Sequence, residues 1–96
     1  MNRLLPIFIK LENQPCLVIG GGKIAGQKIK QLLESKADVT VKSLKISDDL
    51  RSLPITIEKA TYRENDVIGY KLIIAATDDN NVNRQIYEDS QKNGIP

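Results

Sequence analysis

The 96-residue sequence has no histidine and a single cysteine. Without histidine the commonest general base and the commonest metal ligand are both missing, which excludes His-dependent nucleophilic triads and leaves a zinc site only one cysteine and carboxylates to draw on, an unusual set. Cys16 cannot close an internal disulfide, and its setting, Cys16-Leu17-Val18-Ile19, marks it as a small core residue in a reducing compartment. No apolar run approaches the roughly 20 residues of a membrane span. The first ten residues are interrupted by Pro6 and ended by Lys10, too short for a secretory signal. The chain therefore reads as soluble and cytoplasmic, with no membrane partner. A strong charge of one sign is missing as well. Fourteen basic residues against twelve acidic ones give +2, which makes no case for nucleic acid. Any proton transfer falls to Asp, Glu, Lys, Tyr or water, so chemistry in this chain points to a borrowed cofactor.

What is present suits one globular unit, residues 1–96. Apolar residues make up 41% and charged residues 27%, far from the composition of a disordered chain. At this length only about 60% of the unfolded surface can be buried, so a partner or ligand would add usefully to stability. Residues 1–48 carry eight basic and four acidic side chains and residues 49–96 six and eight, so the first half leans toward an anionic ligand. Lysines that merely solvate a helix face are the plainer alternative.

Four short runs rich in β-branched residues alternate with helical stretches, the rhythm of βαβ units. Cys16–Ile19 is continuously apolar, as expected of a parallel strand covered on both faces. From Lys23 to about Ser35, Ala25, Ile29, Leu32 and Leu33 fall at helical spacing. Asp38–Lys42 reads as a second strand, Ile46–Arg51 as a short helical turn, Leu53–Glu58 as a third strand and Tyr70–Ala76 as a fourth. Asp78, Asp79, Asn80 and Asn81 are N-cap candidates for a last helix with Val82, Ile86 and Tyr87 on its apolar face and Gly94 as its stop. Ile95-Pro96 would begin a fifth strand. At the other end Leu5–Leu11 reads as extended and alternating, at a sheet edge or in a hairpin with the first strand, and Asn13-Gln14-Pro15 as a turn. The expected fold is α/β: a Rossmann-like parallel sheet with flanking helices, a single domain, its last strand incomplete.

Gly20-Gly21-Gly22-Lys23-Ile24-Ala25 has the form G-x-G-x-x-A between a strand and a helix, the context of a dinucleotide fingerprint. Gly20 would allow the tight turn, Gly22 would let the backbone approach a pyrophosphate, and Ala25 would keep helix and strand close. The free amides and dipole of the helix start favour phosphate. A glycine turn serving only packing is the alternative. The acidic residue that such a fingerprint places at the end of the second strand is absent, and Lys42, Ser43 and Lys45 stand there instead. They would tolerate a 2′-phosphate, so the residues alone leave NAD and NADP open. Ala75-Ala76-Thr77-Asp78-Asp79 closes the fourth strand at the end where open parallel sheets bind ligands, and Asn83 and Arg84 could face the same ligand.

Taken together, Leu5-Pro6-Ile7-Phe8, Pro15 to Ala25 with Lys28, Val39-Thr40-Val41, and Leu72 to Asp79 with Val82-Asn83 resemble the NAD-dependent precorrin-2 dehydrogenase domain of siroheme synthases. The likeness spans nearly the whole chain. It implies an oxidoreductase that converts precorrin-2, a tetrapyrrole polycarboxylate, to sirohydrochlorin with NAD taking the hydride, on the route to siroheme; some relatives also insert iron. Carried over by position, the resemblance and the fingerprint together give Gly20, Gly21, Gly22, Lys23, Ile24, Ser43, Leu44, Lys45, Ala76 and Thr77 as cofactor contacts, with no metal ligands. The family's tolerance of a non-acidic second-strand end would explain Lys42-Ser43 without NADP. Its catalytic aspartate belongs to an Asn-Val-Val-Asp-like segment expected just after the position of Pro96, and its homodimer is built by helices further on. The chain is thus expected to hold the cofactor half, with no catalytic residue assigned within it. The competing expectation is a non-enzymatic nucleotide-sensing module of the kind that gates potassium transport, which shares the glycine fingerprint and an Ala-Thr-Asp-Asp element but places an acid after the second strand.

Overall fold

The computed structural model describes residues 10–96. The segment expected to be extended from Leu5 lies outside them apart from Lys10 and Leu11, and Leu11 packs against the core. The turn at Asn13-Gln14 is formed, with Asn13 at φ 61° and the Gln14 amide donating to the Leu11 carbonyl at 2.9 Å.

Three helices, one 3-10 turn and four strands follow: β1 (Pro15–Ile19), α1 (Lys23–Glu34), β2 (Asp38–Lys42), α2 (Asp48–Arg51), β3 (Thr56–Glu58), the 3-10 turn Glu64–Val67, β4 (Leu72–Ala75) and α3 (Asn80–Lys92). Every strand pairing is parallel and the order across the sheet is β3-β2-β1-β4. Interior position explains the unbroken apolar run of β1, whose residues point alternately into two clusters. Cys16 and Val18 join Ala25, Ile29, Leu32, Val39, Val41 and Leu50 on the α1 face, while Leu17 and Ile19 meet Ile86 on the α3 face. Each fully buried Ile or Leu contributes about 1.5–3 kcal/mol relative to exposure. Burial, and then the charge of Asp38, pushes the Cys16 thiol above its usual value, consistent with a core residue.

Helix α1 buries Ala25, Gly26, Ile29 and Leu32 along one stripe and leaves its lysines outside. The expected third strand is shorter: β3 begins at Thr56, because Pro54 has no amide for a ladder and Leu53–Ile55 turns instead, the Ile55 amide donating to the Leu53 carbonyl at 2.8 Å. The fourth strand shrinks to Leu72–Ala75, and α2 starts at Asp48 rather than Ile46.

In α3 the capping aspartate is Asp79, whose carboxylate accepts from the Asn81 and Val82 amides at 2.9 and 3.3 Å. Tyr87 does not belong to the apolar face. It follows Ile86 by 100° around the helix and is 64% exposed, while the inward stripe continues through Asp89 and Ser90. Gly94, at φ 65°, stands just past the cap Asn93 as expected of a helix stop. No fifth strand is formed at Ile95-Pro96, although the Ile73 amide donates to the Pro96 carbonyl at 3.2 Å.

Candidate functional site

Parallel strands direct their following loops to the same end, and there the loops after β1, β2, β3 and β4 enclose a cleft of about 1000 Å³. Its floor is the glycine loop. Gly20 has φ 126°, and a side chain there would bring its Cβ within 2.2 Å of the Ala76 carbonyl oxygen. A Cβ on Gly21 would stand 2.0 Å from the Lys45 carbonyl oxygen. These two glycines let the loops after β4 and β2 close against the loop after β1. The last of these contacts is reinforced by the Ser47 amide, which donates to the Gly21 carbonyl at 3.1 Å. Gly22 differs from both, since a Cβ there meets nothing within 4 Å. It is also the N-cap of α1, no side chain caps that helix, and no acid stands in its first turn. Open space, uncapped amides and the positive end of the dipole form a seat for a phosphate group.

The ten residues expected to contact a cofactor all line this cleft: Gly20, Gly21, Gly22, Lys23, Ile24, Ser43, Leu44, Lys45, Ala76 and Thr77. Ile24 and Leu44 are 65% and 55% exposed there, apolar surface suited to flat rings. The walls also include Ile46, Ser47, Arg51, Lys59 and Asp78. Arg51 and Lys59 went unread in the sequence because neither lies near the fingerprint; β3 and α2 carry them there. An isolated cation after a short exposed strand gives no local signal.

Lys42 corrects the sequence-based expectation at the end of β2. It is not a ligand-facing cation. Only 7% exposed, it turns to the α3 side of the sheet, where its ammonium meets Asp66 at 2.7 Å and Glu58 at 3.7 Å. Ser43 and Lys45 remain on the cleft, Ser43 Oγ donating to the Lys45 carbonyl at 3.0 Å.

On the β4 side the loop is held by Asn83. Its Oδ1 accepts from the Thr77 amide at 3.2 Å and from the Thr77 hydroxyl at 2.6 Å, and its Nδ2 donates to the Thr77 carbonyl at 3.1 Å. Thr77 Oγ1 also reaches the Asp79 carbonyl at 3.0 Å and accepts from the Asp79 amide at 3.2 Å. Asn83 thus acts on the cleft through Thr77, while Arg84 is exposed and absent from the lining. Asp79 is used as a cap, which leaves Asp78 as the carboxylate that lines the cleft. Among the described residues no cluster of three or more metal-ligating side chains is present, and no helix is long and apolar enough to cross a membrane.

Comparison with known proteins places the same stretch in context. Residues 7–96 match a family model described as "Putative NAD(P)-binding". Siroheme synthase of Nitrosococcus oceani is 36% identical over 95 residues, covering 95% of this chain and 20% of the relative. Siroheme synthase of Actinobacillus pleuropneumoniae is 42% identical over 91 residues, covering 91% and 19%. Among solved structures, SirC, a precorrin-2 dehydrogenase, superposes with a TM-score of 0.81 at 26% identity, over 88% of this chain and 44% of that one. The chain spans about a fifth of the length of the curated relatives it matches.

Proposed function

The chain belongs to this NAD(P)-binding family, and from its cleft we infer that it binds NAD as the cofactor domain of a precorrin-2 dehydrogenase, an oxidoreductase of siroheme biosynthesis. The observation that carries the reading is the glycine loop: two positions closed by neighbouring carbonyls, and a third, Gly22, open above uncapped helix amides. The first-turn amides at Lys23 and Ile24 would hold the pyrophosphate, Ser43, Leu44 and Lys45 the adenosine end, and Ala76 and Thr77 the nicotinamide end. Bound there, NAD supplies a hydride acceptor. The chain's own part is to fix the dinucleotide across the strand ends, with Ile24 and Leu44 shedding water from its rings and Asn83 holding the Thr77 loop in place. The substrate on this reading is the tetrapyrrole precorrin-2, oxidised to sirohydrochlorin in the cytoplasm by an enzyme that works as a homodimer. The names of the siroheme synthases and of SirC support that assignment. The potassium-transport sensor reading is not supported by those comparisons, and no acid follows β2.

Calorimetric titration of the chain with NAD tests the cofactor assignment. Heat of binding and a raised melting temperature are expected, and both are lost in Gly22→Val, whose Cβ enters the phosphate seat in space free of protein atoms within 4 Å. Absence of binding by the parent chain would sink the reading. The substrate assignment is tested separately by following formation of reduced nicotinamide with precorrin-2 in the full-length protein that carries this domain.

A further inference from the structure

Lys42 is the last residue of β2 and stands in register with Ile19 of β1 on one side and Glu58 of β3 on the other. Its carbonyl accepts from the Gly20 amide at 3.0 Å, and the amide of the next residue, Ser43, donates to the Glu58 carbonyl at 3.1 Å. The main chain at this point therefore joins the glycine loop to the loop that brings Ser43, Leu44 and Lys45 into the cleft. The Lys42 side chain leaves in the other direction. Its ammonium meets Asp66 at 2.7 Å and Glu58 at 3.7 Å, with only 9% of the side chain exposed. Asp66 Oδ2 also accepts from the Arg63 amide at 2.6 Å, so one carboxylate holds both the turn Glu64–Val67 and the end of β2.

Net stability is a poor reason for this arrangement. Taking an ammonium out of water costs much of what its pairing returns, and a well-packed apolar side chain in the same place is often as stable or more so. An ion pair differs in being directional: it is satisfied only while both partners keep one geometry, whereas an apolar contact survives small slides. That directional contact is placed at the residue from which the β2 side of the cleft hangs.

We propose that Lys42 and Asp66, with Glu58 beside them, are positioning residues for the dinucleotide, setting where the Ser43–Lys45 loop stands against the glycine loop. None of the three lines the cleft, so each acts through the backbone of Lys42 and Ser43. The proposal rests on the dinucleotide reading of the cleft given above and adds to it residues that the ligand does not touch.

The test compares Lys42→Met with the double variant Lys42→Met/Asp66→Asn, which removes both charges and keeps an oxygen for the Arg63 amide. The single variant leaves the Asp66 carboxylate without its cation and should lower the denaturation midpoint. The double variant should unfold close to the parent. By calorimetry, at a temperature where all three chains are folded, its NAD affinity is nevertheless expected to fall about fivefold. Hydrogen exchange at the Gly20 and Ser43 amides should quicken about tenfold, with the amides of Leu17 and Val18 unchanged, a local effect that general destabilisation would not produce. Unchanged NAD affinity, or unchanged exchange at Gly20 and Ser43, would overturn the positioning role and leave the dinucleotide reading standing. A double variant destabilised as much as the single one would do the same, since the pair would then be a prop of the fold. A parent chain that does not bind NAD would overturn the dinucleotide reading and this proposal with it.

Discussion

On one face of the sheet, α1 and α2 lay Ala25, Ile29, Leu32 and Leu50 against Cys16, Val18, Val39 and Val41, and the buried polar residues among those described, Lys42, Asp89 and Ser90, lie elsewhere. On the other, α3 and the turn Glu64–Val67 carry the fully buried Ile86 and Val67, while Tyr62, Tyr70, Ile73, Ala75 and Val82 lie half-buried around Leu17, Ile19 and Ile86, and polar groups complete the packing. Asp89, 1% exposed, accepts from the Tyr62 hydroxyl and from Gln85 Nε2 at 2.8 Å, and Lys42 pairs with Asp66 across the same layer. The first face is stabilised by volume, which almost any well-shaped apolar set can supply. The second depends on partners meeting, and a lost partner leaves a polar group stranded. The glycine loop sits where the two constructions join, at the end of the strand they share.

If that contrast is right, the largest loss should come from the apolar face. Ile29→Ala empties a fully buried site and is expected to cost about 2–5 kcal/mol, read as a lower denaturation midpoint at constant slope. Asp89→Ala should come next, at about 1–3 kcal/mol, because it removes the acceptor from Tyr62 and Gln85. A reversed order of these two would break the comparison. Tyr62→Phe keeps the ring and loses one hydrogen bond, for about 1 kcal/mol. It also sharpens the comparison through pH. Burial, then the hydrogen bond to Asp89 and that carboxylate's charge, hold the Tyr62 hydroxyl well above its ordinary value. With the folded value above the unfolded one, its contribution is complete below about pH 10 and disappears as pH rises through the unfolded and then the folded value. The stability difference between the parent chain and Tyr62→Phe should therefore narrow in alkali; a difference that stays constant to high pH would show that the hydroxyl is not held by Asp89. Smallest of all, Lys92→Ala breaks an exposed 3.9 Å pair with Glu64 on the polar face and should leave the melting temperature unchanged within error.

The same division explains what the sequence disclosed. Cys16–Ile19, the three glycines and the stripe Ala25–Ile29–Leu32 are local patterns, and each matches the structure, because strand, turn and helix here follow from neighbours in sequence. The ten residues expected to contact a cofactor come from the loops after β1, β2 and β4 and meet around one cleft. What stayed hidden is non-local. The inward turn of Lys42 depends on Asp66, 24 positions away, and the turn Glu64–Val67 has no periodic signature, being fixed by the Arg63 amide donating to Asp66 Oδ2 at 2.6 Å. Tyr87 misled because aromatic character suggested a buried role that its angle on α3 denies. Arg51 and Lys59 join the cleft only once β3 is laid beside β2.

The contacts of Gly20 with the Ala76 carbonyl and of Gly21 with the Lys45 carbonyl have a consequence for ligand affinity. Three loops are locked together by main-chain atoms before any ligand arrives, so their ordering entropy is spent during folding and not during binding. Affinity then follows from the contacts a dinucleotide makes, with little lost to remodelling the floor. Fold and binding also draw on the same few atoms: a methyl group at either glycine would part the loops, loosening the end of β1 and dismantling the cleft in one step.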